Sequence, residues 1–176
     1  MTAEELARFV RSVPDYPVPG VLFRDLLPLL ADADALRAAV EVLAARVQAA
    51  GATKIAGMEA RGFIFGAAVA VEAGCGFVPI RKPGRLPVPA LGVDYALEYG
   101  QDRLELDPSM IRPADRFAIV DDLIATGGTA LAAAELLRQA GAQVVAAEFV
   151  IELSGLGGGA ALRAQGVSAA ALLTYS

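Results

Sequence analysis

A chain of 176 residues with 56% hydrophobic content can bury one α/β core and is short for two independent domains. Its formal net charge of -5 leaves no general basic surface for nucleic acid, so an anionic ligand must be met locally by backbone amides, particular arginines or a bound cation. With no histidine in the chain, Ser-His and Cys-His nucleophile systems and His-based zinc sites are excluded, and proton transfer falls to carboxylates, tyrosines or the substrate.

In chain order, residues 2–12 read as a short helix. The run Pro14-Asp15-Tyr16-Pro17-Val18-Pro19-Gly20 reads as extended, because each proline restricts the residue before it. Residues 1–13 carry Glu4, Glu5, Arg8 and Arg11 in place of an apolar leader, and no later uncharged stretch reaches membrane-spanning length, so we expect neither export nor a membrane segment. A second helix is predicted over 34–50, with Leu36, Ala39, Val40, Leu43 and Val47 at helical spacing and Gly51 as its stop. The lone Cys75 sits in apolar surroundings that suit a small core residue, and a single unpaired thiol fits a reducing cytoplasm.

From residue 54 the pattern alternates: strand 54–58, helix 62–73, strands 77–81 and 117–121, helix 129–140, strand 144–151, helix 160–165 and strand 169–174. Short apolar strands separated by helices predict crossover units and a mainly parallel central sheet flanked by helices, with ligands at the carboxyl ends of its strands. Between 83 and 107 the rhythm breaks into a proline- and glycine-punctuated loop, then two polar-alternating runs, 94–99 and 103–106, around Gly100, Gln101 and Asp102. We expect a hairpin there, serving as a lid. The run Gly155-Leu156-Gly157-Gly158-Gly159-Ala160 matches the dinucleotide pattern G-x-G-x-x-A, but no acidic residue follows to hold a ribose, so it reads as a flexible loop.

The strongest signal is the strand that ends in Asp121 and Asp122 and leads through Leu123 and Ile124 into Ala125, Thr126, Gly127, Gly128 and Thr129. Consecutive amides with two glycines at a helix N-terminus form a nest for a phosphate monoester, to which the threonine hydroxyls can add donors. The two aspartates fall where they could take the hydroxyls of a ribose whose 5-phosphate lies in that nest. A lone Gly-Gly turn beside solvated carboxylates is the plainer alternative; the order of strand, carboxylates, nest and helix favours the sugar phosphate. The chain has no Gly-Lys-[Ser/Thr], so this is not a P-loop.

The strand with Asp121-Asp122-Leu123-Ile124-Ala125-Thr126-Gly127-Gly128-Thr129 resembles the signature of type I phosphoribosyltransferases, which use phosphoribosyl pyrophosphate (PRPP). Three further segments are similar to the branch of that family that acts on adenine: Ser12 to Asp25 with Phe23-Arg24-Asp25, Glu59-Ala60-Arg61-Gly62-Phe63, and Ile80-Arg81-Lys82-Pro83-Gly84 with Leu97-Glu98-Tyr99-Gly100. The resemblance spans about residues 12–153. It implies the type I fold in a single domain over 1–176, with a small N-terminal hood over about 12–30 and a lid over about 83–107.

It also implies the site. Ala125, Thr126, Gly127, Gly128 and Thr129 would hold the 5-phosphate, and Asp121 and Asp122 the ribose. Pyrophosphate would meet Glu59, Ala60, Arg61, Lys82 and Arg85, with a cis peptide at Glu59-Ala60. Leu22, Phe23, Arg24 and Leu153 would line the adenine pocket, Phe23 stacking on the base. Arg61 and the lid carboxylate Glu98 would serve catalysis, Glu98 handling the proton of the base. Mg2+, held mainly by substrate oxygens and water near Asp121 and Asp122, would neutralise the leaving pyrophosphate. The implied reaction turns adenine and PRPP into AMP and pyrophosphate in purine salvage, in a cytoplasmic homodimer with no nucleic-acid or membrane partner.

On the residues alone, Arg61 also fits an ion pair with Glu59, and Phe23 a core position. Another purine, such as xanthine or hypoxanthine, and a non-catalytic PRPP-sensing regulator stay open as functions. Two departures stand out: Gly157, Gly158 and Gly159 replace a basic Gly-Arg pair common in the family, and Arg85 stands where lysine is common.

Overall fold

A computed structural model of the chain describes residues 1–96 and 100–176. Its centre is a parallel five-stranded sheet built from β3 (Lys54–Met58), β4 (Gly76–Ile80), β7 (Arg116–Ile124), β8 (Gln143–Leu153) and β9 (Ser168–Tyr175), in the order β4-β3-β7-β8-β9. The direction of strand addition reverses between β3 and β7, so the two chain segments leaving these strands diverge and open a crevice at their carboxyl ends.

Side chains alternate along the buried strands and feed two cores. Ala118 and Val120 of β7 face α3 (Ala33–Ala49) and α4 (Arg61–Ala73), meeting Leu43, Val47, Phe65 and Val69. Phe117 and Ile119 face the other way, toward α5 (Gly128–Gln139) and α6 (Gly158–Ala164), with Leu136, Leu137 and Leu162. The predicted mainly parallel α/β sheet is therefore the observed one, and β3 and α3 fall within one residue of their expected bounds. The central strands run longer than predicted: β7 pairs with β8 as far as Ile124 opposite Glu152, so Asp121 and Asp122 lie within the strand instead of at its end.

The expected helix over 2–12 stops early. α1 (Ala3–Ala7) is capped by the reciprocal Thr2–Glu5 bonds, and the next residues become β1 (Arg11–Pro14), antiparallel to β2 (Leu22–Asp25). An ion pair between Arg11 and Asp25, directly opposite in register, closes that ribbon. The proline-rich connection is not uniformly extended: Asp15 adopts φ 56, and its carboxylate accepts from the Gly20 amide at 2.7 Å. A short helix, α2 (Leu27–Ala31), follows and was not anticipated.

The expected hairpin forms from β5 (Leu91–Ala96) and β6 (Gln101–Leu106). It is anchored, because Leu104 and Leu106 are fully buried and Arg81 and Glu105 exchange both backbone hydrogen bonds at 2.8 Å. The glycine run 155–159, read from sequence as a flexible loop, is instead a 3-10 turn at Ser154–Leu156 leading into α6, with the Gly158 amide donating to the Ala125 carbonyl at 3.0 Å.

Candidate active site

Two adjoining cavities open at the reversal between β3 and β7. The first, about 350 Å³, brings together Glu59, Ala60 and Arg61 after β3, Lys82 after β4, and the whole segment Asp121 to Thr129. The second, about 340 Å³, is lined by Phe23 and Arg24 of β2, by Leu26, Leu27 and Leu30, and by Phe65 of α4. Arg61 and Asp122 belong to both.

The turn from β7 into α5 has the form expected of an anion cradle. Gly127 takes φ 84 at the N-cap of α5 and supplies no side-chain cap, leaving the first-turn amides to an outside acceptor. Behind it lies Gly158, packed so closely that a Cβ there would come within 2.7 Å of the Gly127 nitrogen. The signal for Gly158 was visible in the sequence as a glycine run, but only the fold shows that it backs the cradle.

At the floor, Arg61 donates to the Asp122 carboxylate, and this hydrogen bond, with the nearby carboxylates, holds its guanidinium firmly protonated. The Asp121 carboxyl is pushed well up, first by burial and then by the charge of Asp122; its Oδ1 accepts from the Asp122 amide at 2.9 Å. Gly62 leaves room for it, since a Cβ on that residue would lie 2.6 Å from Asp121 Oδ1.

Glu59 is not the partner of Arg61. Its carboxylate accepts from the Lys82 amide at 3.0 Å and from Arg81 at 3.3 and 3.4 Å, and these bonds hold its pKa below the usual carboxylate range. The Glu59–Ala60 peptide bond is cis, as the resemblance implied.

In the apolar cavity, Phe23 meets Tyr16 edge to face, with ring centroids 5.2 Å apart. Asp25, to which sequence reading attached no role, lines the cavity with its carboxyl lowered by the Leu27 amide and Arg11. Arg24 borders the cavity, but its guanidinium lies 4.0 Å over the ring of Tyr175 and bonds Ser12. Leu22, Leu153 and Arg85 are not among the described residues lining either cavity: Leu22 is 48% exposed, Leu153 packs against the core, and Arg85 gives its carbonyl to Arg81. Glu98 lies outside the described residues.

This pairing of an amide cradle with adjacent aspartates at the sheet reversal coincides with a family model. The Phosphoribosyl transferase domain matches residues 29–153, and the chain belongs to that family. Within it the similarity is specific. The chain is 60% identical over 175 residues to the adenine phosphoribosyltransferase of Novosphingobium aromaticivorans, covering 99% of this chain and 98% of the relative. The crystal structure of the adenine phosphoribosyltransferase from Rhodothermus marinus superposes with a TM-score of 0.90 at 44% identity, covering 98% of both chains. That of the Saccharomyces cerevisiae adenine phosphoribosyltransferase, complexed with an imino-altritol bisphosphate and adenine, has a TM-score of 0.91 at 36% identity, covering 97% of this chain and 98% of the other.

Proposed function

We propose that this chain is a pentosyltransferase that joins adenine to the ribose of PRPP, giving AMP and pyrophosphate. The observation that carries the reading is the junction of the two cavities at Arg61 and Asp122: a polar chamber ending in an amide cradle meets an apolar one floored by Phe23.

The 5-phosphate sits on the amides of Ala125, Thr126, Gly127, Gly128 and Thr129, and Asp121 and Asp122 accept from the ribose hydroxyls. Arg61 and Lys82 meet the pyrophosphate, aided by amides of the Glu59-Ala60 turn, while Arg85 stands farther along the same loop. Adenine lies against Phe23, with the backbone of Arg24 available to its edge, while Leu22 and Leu153 stand outside the cavity lining. The imidazole-ring nitrogen of the base forms a bond to the anomeric carbon as the bond to pyrophosphate breaks and carries its electron pair away. The ring proton of adenine passes to a carboxylate, the role we assign to Glu98. Because the oxocarbenium-like centre would also be trapped by water, residues 83–107 act as a lid that excludes it. Residues 12–30 form the hood over the base, and the whole chain is one domain.

A divalent cation fits this site through its substrate. Asp121 and Asp122 are adjacent carboxylates lining the phosphate chamber, and among the described residues no cluster of three or more metal-binding side chains forms. Such a donor set would suit Mg2+ brought in with the substrate, with Asp121 and Asp122 the carboxylates nearest to help hold it. When bound, it neutralises charge on the leaving group.

Exposed apolar side chains on α4, Ile64 and Val71 at 46% and 83% exposure, favour pairing with a second copy. Among the described residues no helix is long and apolar enough to cross a membrane, and the free thiol of Cys75 suits the cytoplasm.

The test is to incubate the protein with PRPP, Mg2+ and each purine in turn and to separate the nucleotides formed. AMP from adenine, with hypoxanthine and xanthine unreacted, is expected. Inactivity with every base would favour a PRPP-sensing regulator, and comparable turnover of a 6-oxo purine would overturn the choice of base.

A further inference from the structure

Near its turn the hairpin carries a polar chain that touches two residues lining the phosphate chamber. Thr129, in the first turn of α5, lies 3.3 Å from the Tyr95 hydroxyl, and that hydroxyl lies 3.0 Å from Asp102 Oδ2. The same Asp102 oxygen accepts from Lys82 Nζ, which also reaches the Tyr95 oxygen at 3.4 Å. Tyr95 and Asp102 are opposite residues in the β5-β6 register, and Asp102 Oδ1 is tied to the Arg103 amide at 2.8 Å. The carboxylate is therefore fixed by the strand that carries it, as the lysine, on its long flexible stem, is not.

Lys82 and Thr129 line the phosphate chamber; Tyr95 and Asp102 do not. Whatever the hairpin pair does to a substrate it must do through those two residues. An ammonium has three donors, and Asp102 and Tyr95 take two of them, so the third can be aimed at a ligand with the side chain already in place. We propose that Asp102 is a positioning residue that, with Tyr95, presets Lys82 for the pyrophosphate group of PRPP. This rests on the pyrophosphate role given to Lys82 above. The competing reading is an ordinary partly exposed ion pair that steadies the hairpin and has no effect on substrate.

Steady-state kinetics on the full chain separate the two. Asp102→Ala is expected to raise the KM for PRPP by about tenfold, the loss of one preset charge-assisted contact, while the KM for adenine stays within about twofold. Asp102→Asn, which keeps an oxygen acceptor, is expected to recover part of that loss. In a Lys82→Ala background, adding Asp102→Ala should change the PRPP KM no further. An unchanged or lower PRPP KM in both Asp102 variants, or an undiminished effect of Asp102→Ala in the Lys82→Ala background, would overturn the proposal. Asp102→Asn carries the comparison if melting curves show that the alanine variant does not fold. Lys82→Ala with an unaltered PRPP KM would remove the pyrophosphate role itself, and the proposal with it.

Discussion

Asp121 sits in a position that costs the fold something. Burial and the neighbouring charge of Asp122 raise its pKa, so the ionised carboxylate is disfavoured in the native state relative to the unfolded chain. The sign follows from linkage: the penalty is absent below the unfolded carboxylate value and grows as pH rises through the raised folded one. Asp121→Asn keeps an oxygen to accept the Asp122 amide and removes the charge. We expect a rise of a few degrees in melting temperature at neutral pH, shrinking as pH falls below the ordinary carboxylate range, as read by calorimetry. On the ribose role proposed for Asp121, the same variant should raise the KM for PRPP by about tenfold or more, because a charged acceptor is lost. A variant with both lower stability and unchanged PRPP kinetics would contradict both halves.

At the scale of elements, the cradle depends on a helix start that is not its own. Gly158 opens α6 and presses on the backbone of Ala125 and Gly127. Gly158→Ala must move one of those backbones, costing about 1–3 kcal/mol, and we expect a lowered melting temperature together with a PRPP KM raised about tenfold. Gly155→Ala, where an added Cβ meets nothing within 4 Å, is the control and should leave both unchanged. The open turn into α5 was legible in the sequence because strand, carboxylates and glycines follow one another along the chain, and β3 and α3 because their apolar spacing is regular. β2 and α2 were not: the stretch 21–31 has no clean period, and its form is set by contact with β1 and α3. The side-chain direction of Arg24 was equally hidden, since Tyr175, on which it lies, is far along the chain. Tyr95 read as ordinary alternation and Asp102 as part of a hairpin turn; their meeting with Lys82 and Thr129 is a product of tertiary packing alone.

For the whole molecule, two sets of carboxylates pull stability in opposite directions. Asp25, Glu59 and Asp102 are held below their ordinary values, by the Leu27 amide and Arg11, by the Lys82 amide and Arg81, and by Lys82, respectively. Their contribution is present above the unfolded carboxylate range and lost as pH falls through the lowered values. Asp121 and Glu148 are raised, in both cases chiefly by burial, and contribute in the reverse sense. Melting temperature should therefore climb slightly as pH is lowered from neutral, then fall below about pH 4, where the first set becomes protonated. Melting curves that fell steadily from neutral downward would refute the balance.

The two chambers draw on different parts of the chain and, among the described residues, share only Arg61 and Asp122. On the function proposed above, choice of base and capture of the activated sugar become separable tasks. Evolution, or an engineer, could recast the residues around Phe23 to admit a different heterocycle and leave the sugar-phosphate grip intact, so long as that shared pair is kept.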